Sequence, residues 1–598
     1  MNRWSNYSAR DTQETRDGDL GFVGVDMTRD RDQLGPGMMT RSQNKRCLNR
    51  KCQTRPGTAY PQDFNPAFGN ALIGSAVYNN PNAEEVMLVA ELNAPYIWVL
   101  EYGKDPYKVS LSAGATTGLL HVEFIQSFDK VLLLRWGAGM VPLIWDGVRT
   151  AGIPAPNPDP AHTFDPLPAV PNPPSNAFPI PMTSEGQPYM DRVLLYDVFA
   201  PSVPWRDQII VTNTGDVTTY DDVWGVFRIN SGESDWISTV FPYFKGGVIV
   251  GKRRSTHLLA NFTLDPTLAE QRVLSSRIGM LSNKCLVEDG ADVIFLSEPG
   301  GFYALTEVIV NQIAAEPVPV SEQIQPIIDR INWAVAQYWA CGQVLGRYAF
   351  FAVPIDGVLG GCNAILVLNT VTRQWESVPD LWLDPNFRIN ALHCLDYDGV
   401  RRLYAVDYVN KAIYLLYEGV SDQLTTGLYP VSDLMETRGY TSQDPGSFKR
   451  FRRAIIGLST FNPTINVTAI TDGYNEEQLL TEDGPLTKDR LNFYTHGHPD
   501  FDPVAGDPDE PMREDYSVVN LEDYAGQDFE GLQVGPIYSG PGTVPTMATP
   551  KQQTLERFPI LVNGRWLSLR IENTDGACDV LGVGVDAIPI SETERMLA

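Results

Sequence analysis

One short pattern recurs along the chain: an apolar run, a tight polar turn, then a second apolar run. Clear copies are 131–135 with 141–145, 248–252 with 256–260, 293–297 with 301–305, and 403–406 with 412–417. Weaker copies begin near Val86, Val193 and Tyr348. The starts lie roughly 45 to 60 residues apart, the spacing of one four-stranded propeller blade. Such a unit has an apolar face that it cannot bury alone, so neighbours must stack around an axis. The pattern predicts a mainly β chain with few helices: a β-propeller of six or seven blades over 61–425, then a β-sandwich-like domain over 426–598.

Composition agrees with many short strands joined by turns. Among 598 residues there are 50 Gly and 45 Pro, and aromatics reach 10%. The one convincing helical period is 321–338, with Ser321 placed to cap and Ile324, Ile327, Ile328 and Ile331 on one face. Between 153 and 188 fall twelve prolines. That density disfavours central strands and predicts an extended loop between two blades.

After residue 428 the period is lost. The runs 453–460 and 464–470 read as a strand pair around Asn462-Pro463, and 557–562, 565–572 and 578–588 as three more strands. The acidic insertion 471–536 separates the two groups, longer than an ordinary loop.

Charge is unevenly placed. The net is −27, yet residues 1–55 hold 11 Lys and Arg against 7 Asp and Glu. Residues 472–530 hold 17 acids and three bases. An acidic body binds nucleic acid poorly, because that affinity comes from Lys and Arg. Residues 1–60 read as an extended basic arm whose cluster Arg41, Lys45, Arg46, Arg50, Lys51 and Arg55 is the candidate interface. The fitting partner for such an arm is a second copy of the chain or an acidic neighbour.

No apolar run approaches a bilayer span, so membrane insertion is not expected, and the start lacks the apolar core of a signal peptide. The seven cysteines are odd in number and mostly isolated, which points to a reduced protein without disulfides. Cys47-x4-Cys52 has no second Cys or His pair at zinc-finger spacing.

Catalytic motifs are poor. Thr495-His496-Gly497-His498-Pro499-Asp500 resembles the metal-binding stretch of metallo-β-lactamase-like hydrolases, but Phe501 stands where that family has a further His. The Asp-rich run 500–515 has Ala505 and Pro511 where a calcium loop needs Gly and Glu. Phosphate loops, a nucleophile elbow and sialidase-type Asp-boxes are missing. Asn363 to Trp375 reads as a kelch-style strand pair with a structural Trp. The cluster Lys449-Arg450-Phe451-Arg452-Arg453 runs into an apolar strand and reads as a solvated strand entry or subunit contact. These readings give no catalytic residue, metal or cofactor.

Several stretches together resemble a known family. They are Asp191-Arg192-Val193-Leu194-Leu195 with Val203-Pro204-Trp205, Arg228-Ile229-Asn230-Ser231-Gly232-Glu233-Ser234-Asp235, and Phe244-Lys245-Gly246-Gly247-Val248-Ile249-Val250. Further along come Ser297-Glu298-Pro299-Gly300-Gly301-Phe302-Tyr303, the run 450–458 leading to Asp472-Gly473, and Gly564-Arg565-Trp566 continuing to Asn573. In this order they resemble the tail nozzle proteins, or tail tubular protein B, of short-tailed bacteriophages. The resemblance spans about 40–590. It implies a structural virion protein of the viral tail, assembled in the host cytoplasm as a homohexamer below a tail adaptor (head-to-tail connector). Viral DNA would pass through the ring during genome ejection without specific binding, and tail fibres or spikes would dock outside. Two other readings stand beside it: a propeller-type polysaccharide depolymerase or glycan hydrolase, and a monomeric kelch-like binding module.

Overall fold

The computed structural model describes residues 15–481 and 552–590 apart from short internal stretches. It is mainly β, with 56% strand and 7% helix. Seven antiparallel sheets follow one another as propeller blades: 72–110, 122–166, 177–228, 237–275, 286–304, 341–381 and 389–416. Their second strands include Lys130–Arg135, Gly247–Lys252, Val293–Ser297 and Val400–Asp407, the apolar runs visible in the sequence. Each is covered on both faces by neighbouring blades, which is why these strands read as continuous apolar runs and lack alternation.

Seven apolar layers join the blades in a cycle. Leu133 and Trp145 of blade 2 pack with Ile73 and Val99 of blade 1, and Ile125 and Leu132 pack with Val193 and Ile210 of blade 3. Further layers join blades 3 to 4, 4 to 5, 5 to 6 and 6 to 7. The seventh joins Leu395, Tyr404 and Ile413 of blade 7 to Leu72, Met87 and Trp98 of blade 1. The first strands touch in the same cyclic order, with Asn283–Cys285 making the contact from blade 5 to blade 4, and Ile389–Tyr397 returns to Leu72–Asn79. The kelch-like Trp375 lies in the layer between blades 5 and 6, its indole N–H donating to Val320 O at 3.0 Å beside Phe302 and Phe351. Its role is structural, and truncating a buried Trp of this kind costs about 3–5 kcal/mol.

The N-terminal segment is not a free arm. Thr58–Ala59 adds a strand to blade 7 beside Ala412–Leu416. Met38–Gln43 joins Gln374–Leu381 of blade 6 to Asp433–Thr437, carrying the blade sheet into a sheet with Leu567–Asn573, Ile465–Thr471 and Glu476–Thr481. A second sheet contains Lys45–Leu48, Lys51–Thr54, Ala577–Pro589, Lys449–Phe461 and Gln552–Pro559, with Thr15–Asp19 on Ala577–Pro589. The two sheets enclose one core that includes Phe22, Met39, Cys52, Ile456, Val467, Ile571 and Val585. The sandwich is therefore built from both ends of the sequence.

Three other expectations change. Lys449–Phe461 and Ile465–Thr471 do not pair: they lie in different sheets of the sandwich, because each presents its apolar face to the shared core. The helical period 321–338 is broken into Glu322–Ile324, Gln325–Ile328 and Trp333–Trp339. Ser321 does not cap a helix; its Oγ accepts from Phe302 N–H at 2.9 Å, and Ile331 bridges to Ile355. The proline-rich stretch supplies Asp165–Pro166 at the outer edge of blade 2 and Thr183–Tyr189 as the first strand of blade 3. Both are edge positions, where a missing N–H is tolerated.

Candidate functional sites

Two polar constellations stand out from the apolar framework: a basic clasp between propeller and sandwich, and a titratable cluster on the propeller axis.

The clasp contains three of the six basic residues singled out in the sequence. Strand Lys45–Leu48 runs between the domains, and alternation sends successive side chains to opposite sides. Lys45 turns to the sandwich, where Nζ lies 2.7 Å from Asp433 Oδ1 and donates to Cys578 O at 2.7 Å. Arg46 turns to blade 6 and grips Asp380, with Nη1 3.0 Å from Oδ1 and Nη2 on Oδ2. Arg55 forks onto Asp422 at 3.0 and 2.7 Å, its guanidinium 4.7 Å from the centre of the Trp382 ring. All three cations are buried.

Burial would lower the Arg46 pKa, but Asp380 outweighs it and the group is held above its usual value. Burial works the other way on Asp380, where Arg46 and Arg55 prevail and depress the carboxyl. Lys45 is likewise raised by Asp433 against its burial. Asp433 is pushed up by burial, yet it accepts from Thr54 Oγ1 at 2.5 Å and Asn573 Nδ2 at 3.1 Å, contacts that favour the carboxylate and hence the ion pair. Arg41 and Arg50 are exposed and Lys51 is half-buried. The reading of all six as one exposed interface is corrected on this point: Lys45, Arg46 and Arg55 hold the chain's own acids.

In the second basic cluster, Lys449 is buried and donates to Ser447 O at 2.9 Å, while Arg453 sits 3.6 Å from Asp586. His496, His498, the run 500–515 and nearly all of the acidic insertion lie outside the described residues.

The axial cluster was not anticipated. Lys284, in the turn entering blade 5, reaches across the ring to His121 before the first strand of blade 2, Nζ to Nδ1 at 3.0 Å. Blades 2 and 5 stand on opposite sides of a seven-membered ring, so this contact crosses the centre. Glu123 of blade 2 and Glu185 of blade 3 hydrogen-bond to each other, and Glu123 Oε2 also accepts from Gly186 N–H at 3.1 Å. Asn283 donates to Gln187 at 3.0 Å, and His393 of blade 7 lies 2.8 Å from Ser75 Oγ of blade 1.

Burial pushes Glu123 well up, helped by Glu185, and pushes Glu185 up in turn. Burial lowers Lys284 despite Glu185 and Glu123. It takes His393 to about 4 and His121 well below its ordinary value, Lys284 adding to both effects. The sequence does carry a signal for some of these residues. Val122-Glu123-Phe124 and Leu392-His393-Cys394 each set a titratable residue between apolar ones in the first strand of a blade.

Among the described residues no helix is long and apolar enough to cross a membrane, and no group of three or more His, Cys, Asp or Glu side chains is placed to hold a metal. No protein-family profile matches the chain, and no curated protein matches it. Solved structures are similar at low level, and three of them serve as examples. One titled "YCF48 bound to D1 peptide" has TM-score 0.32 and 9% identity, covering 61% of this chain and 99% of its own. A "Glycoside hydrolase" has TM-score 0.22 and 11% identity, covering 87% and 99%. The "AfRom2 CNH domain" has TM-score 0.32 and 9% identity, covering 61% and 97%. Similarity at this level carries nothing about activity.

Proposed function

We propose that this chain is a structural subunit of a short-tailed phage tail, a nozzle protein acting in a ring of six around the channel for genome ejection. The observation that supports this best is the welding of its two domains. Residues 15–59 run through the sandwich sheets and the last blade, with three buried ion pairs at the junction. A wall element that transmits force between an adaptor and fibres needs such a rigid block. The described residues of the stretches that resemble nozzle proteins lie in or beside blades 3, 4 and 5 and in sandwich strands of both sheets, so the resemblance extends across both domains.

The axial contact of Lys284 with His121 also bears on where DNA would travel. A propeller crossed by side chains is a solid disc, so the channel would lie between subunits, and their acidic surfaces would repel passing phosphates. A glycan hydrolase needs carboxyls about 5 Å or more apart to flank a sugar. The axial Glu123 and Glu185 instead bond to each other and leave no such gap.

Light scattering on the purified full-length protein, alone and with the head-to-tail connector, tests the reading. A chain of 66.3 kDa should assemble to about 400 kDa in a closed sixfold ring. A monomer under both conditions would overturn it.

A further inference from the structure

Two thiols beside the clasp lie opposite each other in one hairpin. Strands Lys45–Leu48 and Lys51–Thr54 pair with Cys47 directly across from Cys52. The connecting residues Asn49 and Arg50 have φ of 51° and 64°, both in the left-handed region of a two-residue turn of the I′ type. In such a hairpin the pair flanking the loop, Leu48 with Lys51, exchanges backbone hydrogen bonds. The next pair, Cys47 with Cys52, is then a non-hydrogen-bonded one, with Cα atoms about 4.5 Å apart. That separation falls inside the range of about 4.4–6.8 Å that a disulfide tolerates. Cys52 belongs to the sandwich core and the half-buried Cys47 packs against the same core, so both side chains leave the hairpin on one face. The thiols are within hydrogen-bonding reach of each other.

We propose that Cys47 and Cys52 form a reversible cross-strand dithiol–disulfide pair that locks the hairpin carrying Lys45 and Arg46. The chemistry is thiol–disulfide exchange. The Cys47 thiolate attacks a small-molecule disulfide such as oxidised glutathione, forming a mixed disulfide and releasing one thiol. The Cys52 sulfur then displaces the second. One S–S bond of the oxidant is broken and one forms in the protein; two electrons and two protons pass to the oxidant, which leaves as two thiols. Cys47 is the point of entry because it is the less buried sulfur. Its pKa is held well above the ordinary thiol value, by the hydrogen bond with Cys52 first and by burial second. Exchange should therefore be slow at neutral pH and accelerate as the solution is made alkaline.

Closure would tie the two strands beneath the turn, so the hairpin could not open without carrying both clasp cations together. The other buried cysteines do not offer this geometry. Cys285, Cys341 and Cys362 lie near one another but share no pair of facing strand positions.

The test is to incubate the folded full-length protein with oxidised glutathione at mildly alkaline pH, alkylate the remaining thiols under denaturing conditions, and digest without reductant. The expected product joins the peptide containing Cys47 to the one containing Cys52, with the other five cysteines alkylated and the link lost on adding reductant. The urea midpoint of the wild-type protein should rise on oxidation, while that of a Cys47→Ser variant should not move. Complete alkylation of both cysteines, a stable glutathione adduct on Cys47, or a link from Cys52 to Cys578 would each overturn the assignment. An internal link that leaves the urea midpoint unchanged would overturn the locking role.

Discussion

Arg46 and Asp380 meet as a two-pronged pair where the propeller joins the sandwich, and the ring of Tyr417 lies 4.8 Å from the guanidinium while its hydroxyl donates to Asp380 Oδ2 at 2.9 Å. Both partners are buried, so neither finds water if the other is removed. Arg46→Ala should destabilise the protein by about 3–5 kcal/mol, mostly through the stranded carboxylate. The double variant Arg46→Met with Asp380→Leu should recover most of that loss. Urea unfolding of the wild type and the two variants measures it, and a single-variant loss under about 1 kcal/mol would mean that water reaches the pair.

Deletion of residues 1–55 should abolish cooperative folding. The deletion removes strands from two sheets and leaves Asp380, Asp422 and Asp433 buried without their cations. Circular dichroism and thermal melts would show it. A truncated chain with an intact, sharp propeller transition would show that the N-terminal strands are dispensable.

The surface members of the basic group should behave differently. Replacing Arg41, Arg50 and Lys51 together by Glu should change the urea midpoint little, since substitutions away from buried features stay within about 0.5 kcal/mol each. If the chain assembles as proposed and these residues face a neighbour, the variant should lose the large species in light scattering while melting normally. Unchanged assembly would remove them from the interface.

Gly57 sits where the N-terminal strand enters blade 7, its N–H donating to Gly419 O at 3.0 Å. A Cβ there would come within 2.0 Å of Ser421 O. Gly57→Ala should cost about 1–3 kcal/mol by forcing two backbones apart. A thermal melt identical to that of the wild type would show that the joint has slack.

The axial cluster predicts opposing pH effects. His393 is depressed to about 4 from an ordinary value of 6.5, so the unfolded chain binds more protons between those limits. Its contribution is present above pH 6.5 and lost as pH falls towards 4. Glu123 is raised, so the folded chain holds the extra proton above pH 4.5 and its contribution fades as pH rises through the folded value. Lys284, His121, Glu185 and Asp197 face the same cluster and shift both curves. Glu123→Gln should therefore stabilise the protein relative to wild type increasingly towards high pH, and His393→Gln should flatten the acid limb. Parallel stability–pH curves for wild type and both variants would contradict this.

The blades were legible because their second strands are apolar on both faces, as in Val248-Ile249-Val250 and Leu403-Tyr404-Ala405-Val406. The N-terminal strands were not. Lys45, Arg46 and Arg55 look like a solvated arm in sequence because their partners stand more than 300 positions away, at Asp433, Asp380 and Asp422. Charge paired across such a separation leaves no local pattern. The axial residues were missed for a related reason: Lys284 and His121 are 163 positions apart, and only ring closure brings them together. The break in the 321–338 helix reflects tertiary override, since Ile331 bridges to Ile355 and cannot also continue the helical turn.

The pairing of Thr58–Ala59 with Ala412–Leu416, and of Thr15–Asp19 with Ala577–Pro589, has a consequence for how the molecule is made. On a ribosome the N-terminal segment emerges first, yet its strand partners are synthesised hundreds of residues later. Blades 1 to 6 can stack as they appear, each on its predecessor, while the opening segment waits unpaired like the loose end of a drawstring. Closing so long a loop adds little entropy beyond closing a shorter one, but it delays the step until nearly the whole chain exists. Strands translated before every blade are thus seated after the blades, and a chain cut short before Ala577 leaves Thr15–Asp19 without its partner.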